Sequence, residues 1–111
     1  MILLSGGFDP LHLGHLRLMI AASRYGEVVV ALNSDAWLMT KKGYVFMTFD
    51  HRSALLVANR YVSRVVAVED ADGTVCEALA RVRPDYFANG GDRTAGNPLE
   101  SELCRRLGII E

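Results

Sequence analysis

Five consecutive apolar residues, Val28-Val29-Val30-Ala31-Leu32, constrain this chain more than any other feature. A strand with one wet face alternates apolar and polar residues. An unbroken apolar run is instead buried on both faces, as in the middle of a parallel sheet. The rest of the sequence fits around such a strand. Ile2–Leu4, Val65–Val68 and Tyr86-Phe87-Ala88 read as further strands, and Ile109-Ile110 as the start of a fifth. Amphipathic segments lie between them. Leu13, Leu16, Met19, Ile20 and Ser23 recur on one helical face that closes at Gly26. Thr74 with Glu77 three residues on is a capping box, opening a helix that runs to about Val82, ahead of Pro84. Asn97-Pro98 supplies an N-cap and a proline at the first helical position. Glu100 and Glu102 then precede Arg105, Arg106 and Gly108, a charge order that complements the helix dipole. Leu99, Leu103 and Leu107 are the expected buried stripe of that helix.

Strand and helix alternating in this way predict an α/β fold: a Rossmann-like, doubly wound, parallel five-stranded sheet in a single domain over residues 1–111. Half of the 111 residues are hydrophobic, enough to close one core without disulfide or metal staples and too many for a disordered chain. No stretch of about 18 uncharged apolar residues is present, so a membrane partner is not expected. Twelve Lys plus Arg against thirteen Asp plus Glu argue against nucleic acid as the main partner. The N-terminus shows no basic leader. Cys76 and Cys104 are far apart and read as buried thiols. Both signs point to the cytoplasm.

Open α/β sheets bind ligands at the carboxyl ends of their strands, so function is sought in the loops after the first, second and fourth strands. The first of these is Gly6-Gly7-Phe8-Asp9-Pro10-Leu11-His12-Leu13-Gly14-His15. Two glycines after a strand let backbone amides approach a phosphate without side chains in the way. His12 and His15, three apart at a helix opening, project from one side of its first turn. A helix N-terminus favours anions and disfavours imidazolium, which predicts neutral or easily titrated histidines donating hydrogen bonds to phosphoryl oxygens. Zinc binding by His12, His15 and Asp9 lacks a fourth ligand. The Gly-x-Gly-x-x-Gly spacing of dinucleotide-binding folds is absent.

Gly7-Phe8-Asp9, His12-x-Gly14-His15 resembles the signature of the cytidylyltransferase-like nucleotidyltransferases, a family that includes glycerol-3-phosphate and choline-phosphate cytidylyltransferases and the adenylyltransferase domain of bacterial ADP-heptose synthesis. The likeness continues through Val30–Asp35, Lys41-Lys42-Gly43, Arg52, Arg60-Tyr61-Val62, Arg83-Pro84-Asp85 and Gly90-Gly91-Asp92. It implies attack by a phosphate monoester on the α-phosphorus of CTP or ATP, with pyrophosphate leaving and Mg²⁺ on the leaving group. The resemblance further assigns His12, His15 and Lys41 to catalysis. Gly6, Gly7, Phe8, Gly14, Asn89, Gly90, Gly91 and Asp92 are expected to bind the nucleotide, and Asp9, Asp35, Lys42 and Arg52 the acceptor. Asp9 is equally open to bonding turn amides, Asp35 to capping the following helix, and Trp37 is expected to pack. The acceptor implied is a phosphorylated sugar or polyol, and a homodimer is one expectation. The same opening also resembles nicotinate-mononucleotide and pantetheine-phosphate adenylyltransferases. Arg93-Thr94-Ala95-Gly96 resembles the start of a Ser/Thr-rich motif of the family but lacks its serines. With the fifth strand starting so near Glu111, either a C-terminal segment follows or the protein dispenses with it. A nucleotide-binding module without turnover is the remaining alternative.

Overall fold

The computed structural model describes residues 1–89 and 97–111. Strand β1 (Ile2–Gly6) leads into helix α1 (Leu13–Ala22), which ends in a short 3₁₀ turn at Ser23–Tyr25. Strand β2 (Val28–Leu32) is followed by α2 (Asp35–Lys42) and α3 (Phe49–Val57), and β3 (Arg64–Ala67) by α4 (Cys76–Val82). Strand β4 (Tyr86–Asn89) and α5 (Pro98–Leu107) complete the described fold. All strands pair in parallel in the order β3-β2-β1-β4.

The unbroken apolar run is the reason the sheet is covered on both sides. Val28, Val30 and Leu32 join Ile2 and Leu4 in one cluster that packs on Met19, Ala22 and Leu56 of α1 and α3. Val29 and Ala31 join Leu3 and Phe87 in a second, against Ala78, Leu79 and Cys104 of α4 and α5. Burial of each large side chain on β2 contributes about 1.5–3 kcal/mol relative to exposure.

Three local expectations are corrected. The sheet has four strands among the described residues, and Ile110 makes one isolated bridge, to Tyr86. Ile110 donates to Asp85 O, and Phe87 donates to Ile110 O, but a ladder needs successive paired residues. The capping box at Thr74 and Glu77 does not form. Glu77 instead accepts from Arg81 and from the Glu69 amide, while Glu100 of α5 accepts from the Val75 amide at 3.0 Å. A carboxylate from a neighbouring helix therefore sits where the positive end of the α4 dipole favours one. Lastly, Leu99 is 62% exposed, and the face of α5 turned to the core carries Glu100 and Cys104. Leu103 and Leu107 pack only at the edge of that cluster. The expected N-cap at Asn97, with Pro98 behind it, and the left-handed Gly108 at the C-cap are present.

Candidate active site

Strand order reverses between β1 and β4, and the crevice there opens at the carboxyl ends of the strands. Ser5 and Asn89 are register partners at its floor, and Ser5 Oγ donates to Asn89 Oδ1 at 3.0 Å. Above them lies a cavity of about 450 Å³. The loop after β1 brings Gly6, Gly7, Phe8, Asp9, His12 and His15 to it, α2 brings Trp37, Lys41 and Lys42, and β4 brings Asn89. Most of the residues singled out in the sequence thus share one cavity. Gly14, Asp35 and Arg52 do not line it. Gly90, Gly91 and Asp92, with Arg93–Gly96, lie outside the described residues.

The histidines open α1 as a capping box of an unusual kind. His12 is the N-cap, and its Nδ1 accepts from the Gly14 amide at 3.1 Å. His15 Nδ1 in turn accepts from the His12 amide at 3.2 Å. The rings stack with centroids 3.8 Å apart and planes at 21°. A neutral imidazole that accepts at Nδ1 carries its proton on Nε2, so the same bonds that cap the helix set the tautomer of both rings. Gly14 is required by this arrangement, because a β-carbon there would lie 2.9 Å from His12 Cε1. The Phe8 ring meets His15 edge-on at 4.7 Å and is buried, although its backbone is left-handed at φ 49. That conformation costs about 1–2 kcal/mol for a residue with a β-carbon, offset by burial of the ring.

Gly7 lets α2 close over the loop: a β-carbon would meet Leu38 Cδ2 at 2.7 Å and the Trp37 ring at 3.4 Å. The two adjacent lysines then part company. Lys42 Nζ donates to Asp9 O at 2.7 Å and to Asp9 Oδ2 at 3.0 Å, binding α2 to the loop. Lys41 Nζ lies over the Trp37 ring, 4.7 Å from its centroid.

Asp9, in the cavity lining, and Arg52, behind it, are both bonded into the frame of the site. The Asp9 carboxylate accepts from the Phe46 and Met47 amides at 2.8 and 2.6 Å as well as from Lys42. Burial pushes the Asp9 carboxyl upward, but these donors together outweigh it and leave the group below its ordinary value. Arg52 is 1% exposed. Its guanidinium donates to Met47 O, Gly7 O and Asn33 O, and pairs with Asp35 at 2.6 Å. One side chain thereby joins the ends of β1 and β2, the start of α2 and the segment before α3. Asp35 is not the cap of α2, since Ser34 Oγ accepts from the Trp37 amide.

Asp70 belongs to none of the motifs read from the sequence. It is buried, and accepts from Asn33 Nδ2, the Ser34 amide and Ser34 Oγ at 2.7–3.0 Å. Its partners lie 36 and 37 residues away, so no local spacing could have revealed it. Trp37 was likewise visible only as a packing residue, and Ser5 not at all.

Among the described residues no three His, Cys, Asp or Glu side chains gather as a metal cluster, and no helix is long and apolar enough to cross a membrane. The cavity offers imidazoles, ammonium groups and amides, a set that suits an anion.

Comparison with known proteins agrees with this chemistry. The bifunctional protein HldE of Sulfurimonas denitrificans is 32% identical over 110 residues, which is 96% of this chain and 23% of that protein. HldE of Nitratiruptor sp. is 33% identical over 111 residues, with the same coverage. The chain thus spans about a quarter of the length of these curated relatives. The crystal structure of the lipopolysaccharide core biosynthesis protein from Thermoplasma volcanium GSS1 superposes with a TM-score of 0.82 at 25% identity, covering 98% of this chain and 88% of that one. With residues 3–107 matching the cytidylyltransferase-like model, this chain belongs to the cytidylyltransferase-like family.

Proposed function

We propose that this chain transfers CMP or AMP from a nucleoside triphosphate to the phosphate of a small sugar or polyol phosphate, releasing pyrophosphate. The observation that carries the reading is the meeting of two Nε2–H imidazoles, a glycine loop and two lysines in one cavity at the strand-order reversal. Such a reaction needs no covalent intermediate. It needs two anions held in line and charge neutralised as the phosphorus becomes five-coordinate. His12 and His15 donate to the phosphoryl oxygens, more strongly as charge develops there. The Gly7 and Phe8 amides hold the α-phosphate, with Gly6 at the end of β1 leaving room for the Phe8 ring. Lys42, tied to the loop by Asp9, stands beside that phosphate, and Lys41 serves the β- and γ-phosphates or the acceptor. Asn89, at the end of β4, serves the nucleoside. Asp9, Asp35 and Arg52 act by holding these groups in place.

Mg²⁺ fits this donor set as a passenger of the triphosphate. The carboxylate that lines the cavity, Asp9, has its oxygens taken by amides and Lys42. When bound, the ion would neutralise charge on the departing pyrophosphate.

The test is a pyrophosphate-release screen of CTP, ATP, UTP and GTP against phosphorylated sugars and alcohols with Mg²⁺. Turnover confined to CTP or ATP with one acceptor class supports the proposal. Nucleotide binding with no release from any pair would replace it with a binding module.

A further inference from the structure

Helix α2 brings Trp37, Lys41 and Lys42 to the cavity, and its line of approach is set at the corner formed by Asn33 and Ser34. On the inner side this corner is tied to the glycine loop. The Asn33 amide donates to Gly6 O at 3.0 Å, and Arg52 bridges Gly7 O and Asn33 O at 2.8 Å each. On the outer side the bonds end on Asp70. We infer that Asp70 is a positioning residue for nucleotidyl transfer, acting through Ser34 to set the line of α2 and so the reach of its two lysines. The inference rests on the transfer reading for what the lysines serve, and on the geometry for how they are placed.

The two oxygens of the Asp70 carboxylate have separate partners. Oδ2 accepts from Asn33 Nδ2 at 3.0 Å and from the Ser34 amide at 2.8 Å. Oδ1 accepts from the Ser34 hydroxyl at 2.7 Å, and Ser34 Oγ in turn accepts from the Trp37 amide at 3.1 Å as the N-cap of α2. A serine hydroxyl rotates to suit its surroundings, and it caps a helix only while an oxygen lone pair points at the first turn. The carboxylate holds the hydroxyl proton away from the helix, through a charge-assisted bond roughly twice as strong as a neutral one. Asp70 is itself anchored: the Gly73 amide donates to Asp70 O at 2.9 Å, and the Glu69 amide donates to Glu77 of α4 at 3.1 Å. Asp70 also lies in the wall of a second cavity, of about 420 Å³, with Trp37 and Lys41, but these three carboxylate bonds run back into the chain.

The lysines magnify any error at this corner. Leu38 packed on Gly7 and the Lys42–Asp9 pair hold the middle and the far end of α2. Asp35 is turned to Arg52, so the cap at the near end depends on Ser34 and its Asp70 partner. At about 1.5 Å per residue, Lys41 stands about 10 Å along the axis from Ser34, and a tilt of about 5° at the cap shifts its backbone by about 1 Å. A misplacement of about 1 Å is enough to cost up to about 10²-fold in rate.

Two single variants and their combination test this, each measured well below its melting temperature so that lost global stability does not enter. Asp70→Asn keeps one oxygen for the two N–H donors and lacks the second, which takes the Ser34 hydroxyl. Ser34→Ala removes the hydroxyl and leaves the carboxylate. Each should weaken calorimetric binding of CTP or ATP with Mg²⁺ ten-fold or more, and lower kcat/KM for pyrophosphate release by at least as much. The chain contains a single tryptophan, and the Trp37 amide is the capped group, so its emission reports on the start of α2. Both variants should move the emission maximum to longer wavelength. The double variant should bind within two-fold of the weaker single one, because the two residues act in series. Triphosphate affinity within two-fold of wild type, or an unmoved emission maximum, overturns the inference. Losses that multiply in the double variant overturn it too, since Asp70 would then act without Ser34. Weakened triphosphate binding with shifted emission, but no pyrophosphate release by the wild type with any acceptor, upholds the placement of α2 by Asp70 and removes only the transfer reading.

Discussion

His12 and His15 cap one helix and fix one another. His12 Nδ1 accepts from the Gly14 amide, His15 Nδ1 accepts from the His12 amide, and the rings stack at 3.8 Å. The structural and the chemical tasks of His12 therefore separate by substitution. Asparagine is a good N-cap, so His12→Asn should hold the melting temperature within about 2 °C while removing the Nε2 donor. His12→Ala should lose the cap as well, about 1 kcal/mol and some 4–8 °C in a domain of this size. Both should lower kcat by about 10²–10³-fold, with a smaller change in KM for the nucleotide. Thermal melts alongside pyrophosphate-release kinetics check both halves.

Gly14→Ala tests the same geometry from the other side. Alanine is the better helix former by about 1 kcal/mol. Its β-carbon would nevertheless lie 2.9 Å from His12 Cε1 and must move the ring. The expected outcome is turnover reduced by about ten-fold or more, short of the full loss of a donor, without a matching fall in stability to urea. Unchanged turnover would show that the His12 ring position does not matter.

Arg52 joins four segments from a buried position, and its loss leaves Asp35 and three carbonyls without their donor. Arg52→Ala should destabilise the fold by about 3–5 kcal/mol. Lysine cannot reproduce a planar fork with several fixed donors, so Arg52→Lys should recover little of this. Urea unfolding of both variants measures it.

Asp9 links stability to acid. Its carboxyl lies below the ordinary value in the folded state, where Phe46, Met47 and Lys42 donors overcome the upward push of burial. A depressed folded value means that the carboxylate's contribution is complete above the unfolded value near pH 4. It is lost as pH falls through the lower, folded one. Melting temperature should drop more steeply below pH 4 in the wild type than in Asp9→Asn. Parallel acid limbs in the two proteins would contradict this.

The cysteines should differ sharply toward thiol reagents. Burial, then the charges of Glu111 and Glu100, push the Cys104 thiol up to about 11. It is 1% exposed, whereas Cys76 is half-buried. At pH 8 a disulfide reagent should modify one equivalent per chain, at Cys76, and the second only in denaturant. Because the Cys104 value is raised on folding, its contribution to stability is whole below the unfolded value near 8.5 and lost as pH climbs through 11.

Much of the fold was legible because it rests on local repetition. Val28–Leu32 specified a doubly covered strand, and Asn97-Pro98 with Gly108 bounded α5 correctly. The readings that failed were those in which a distant group outcompeted a neighbour. Glu77 fits the capping-box spacing, but Arg81 one turn away binds its carboxylate and Glu100 reaches α4 from another helix. Leu99 fits a stripe, but the direction of the core placed Glu100 and Cys104 inward instead. In the site, the loop from Gly6 to His15 announced itself by residue type and spacing. The engagement of Asp9 with amides 37 and 38 residues on, and of Asp70 with Ser34, left no trace in sequence spacing.

By itself, then, the sequence determined four strands and the helices α1, α4 and α5, and that a loop rich in glycine and histidine follows the first strand. Hydrophobic period and the backbone needs of glycine and proline act over a few residues, within reach of a linear reading. Tertiary structure alone decided which charges are bonded into the frame and which rest at the edge of a cavity. Lys41 and Lys42 are adjacent and identical in type, yet one is bonded to Asp9 and the other rests on Trp37 at the border of two cavities. That difference comes from where α2 lies across the loop, and the packing of Leu38 and Trp37 against Gly7 sets it.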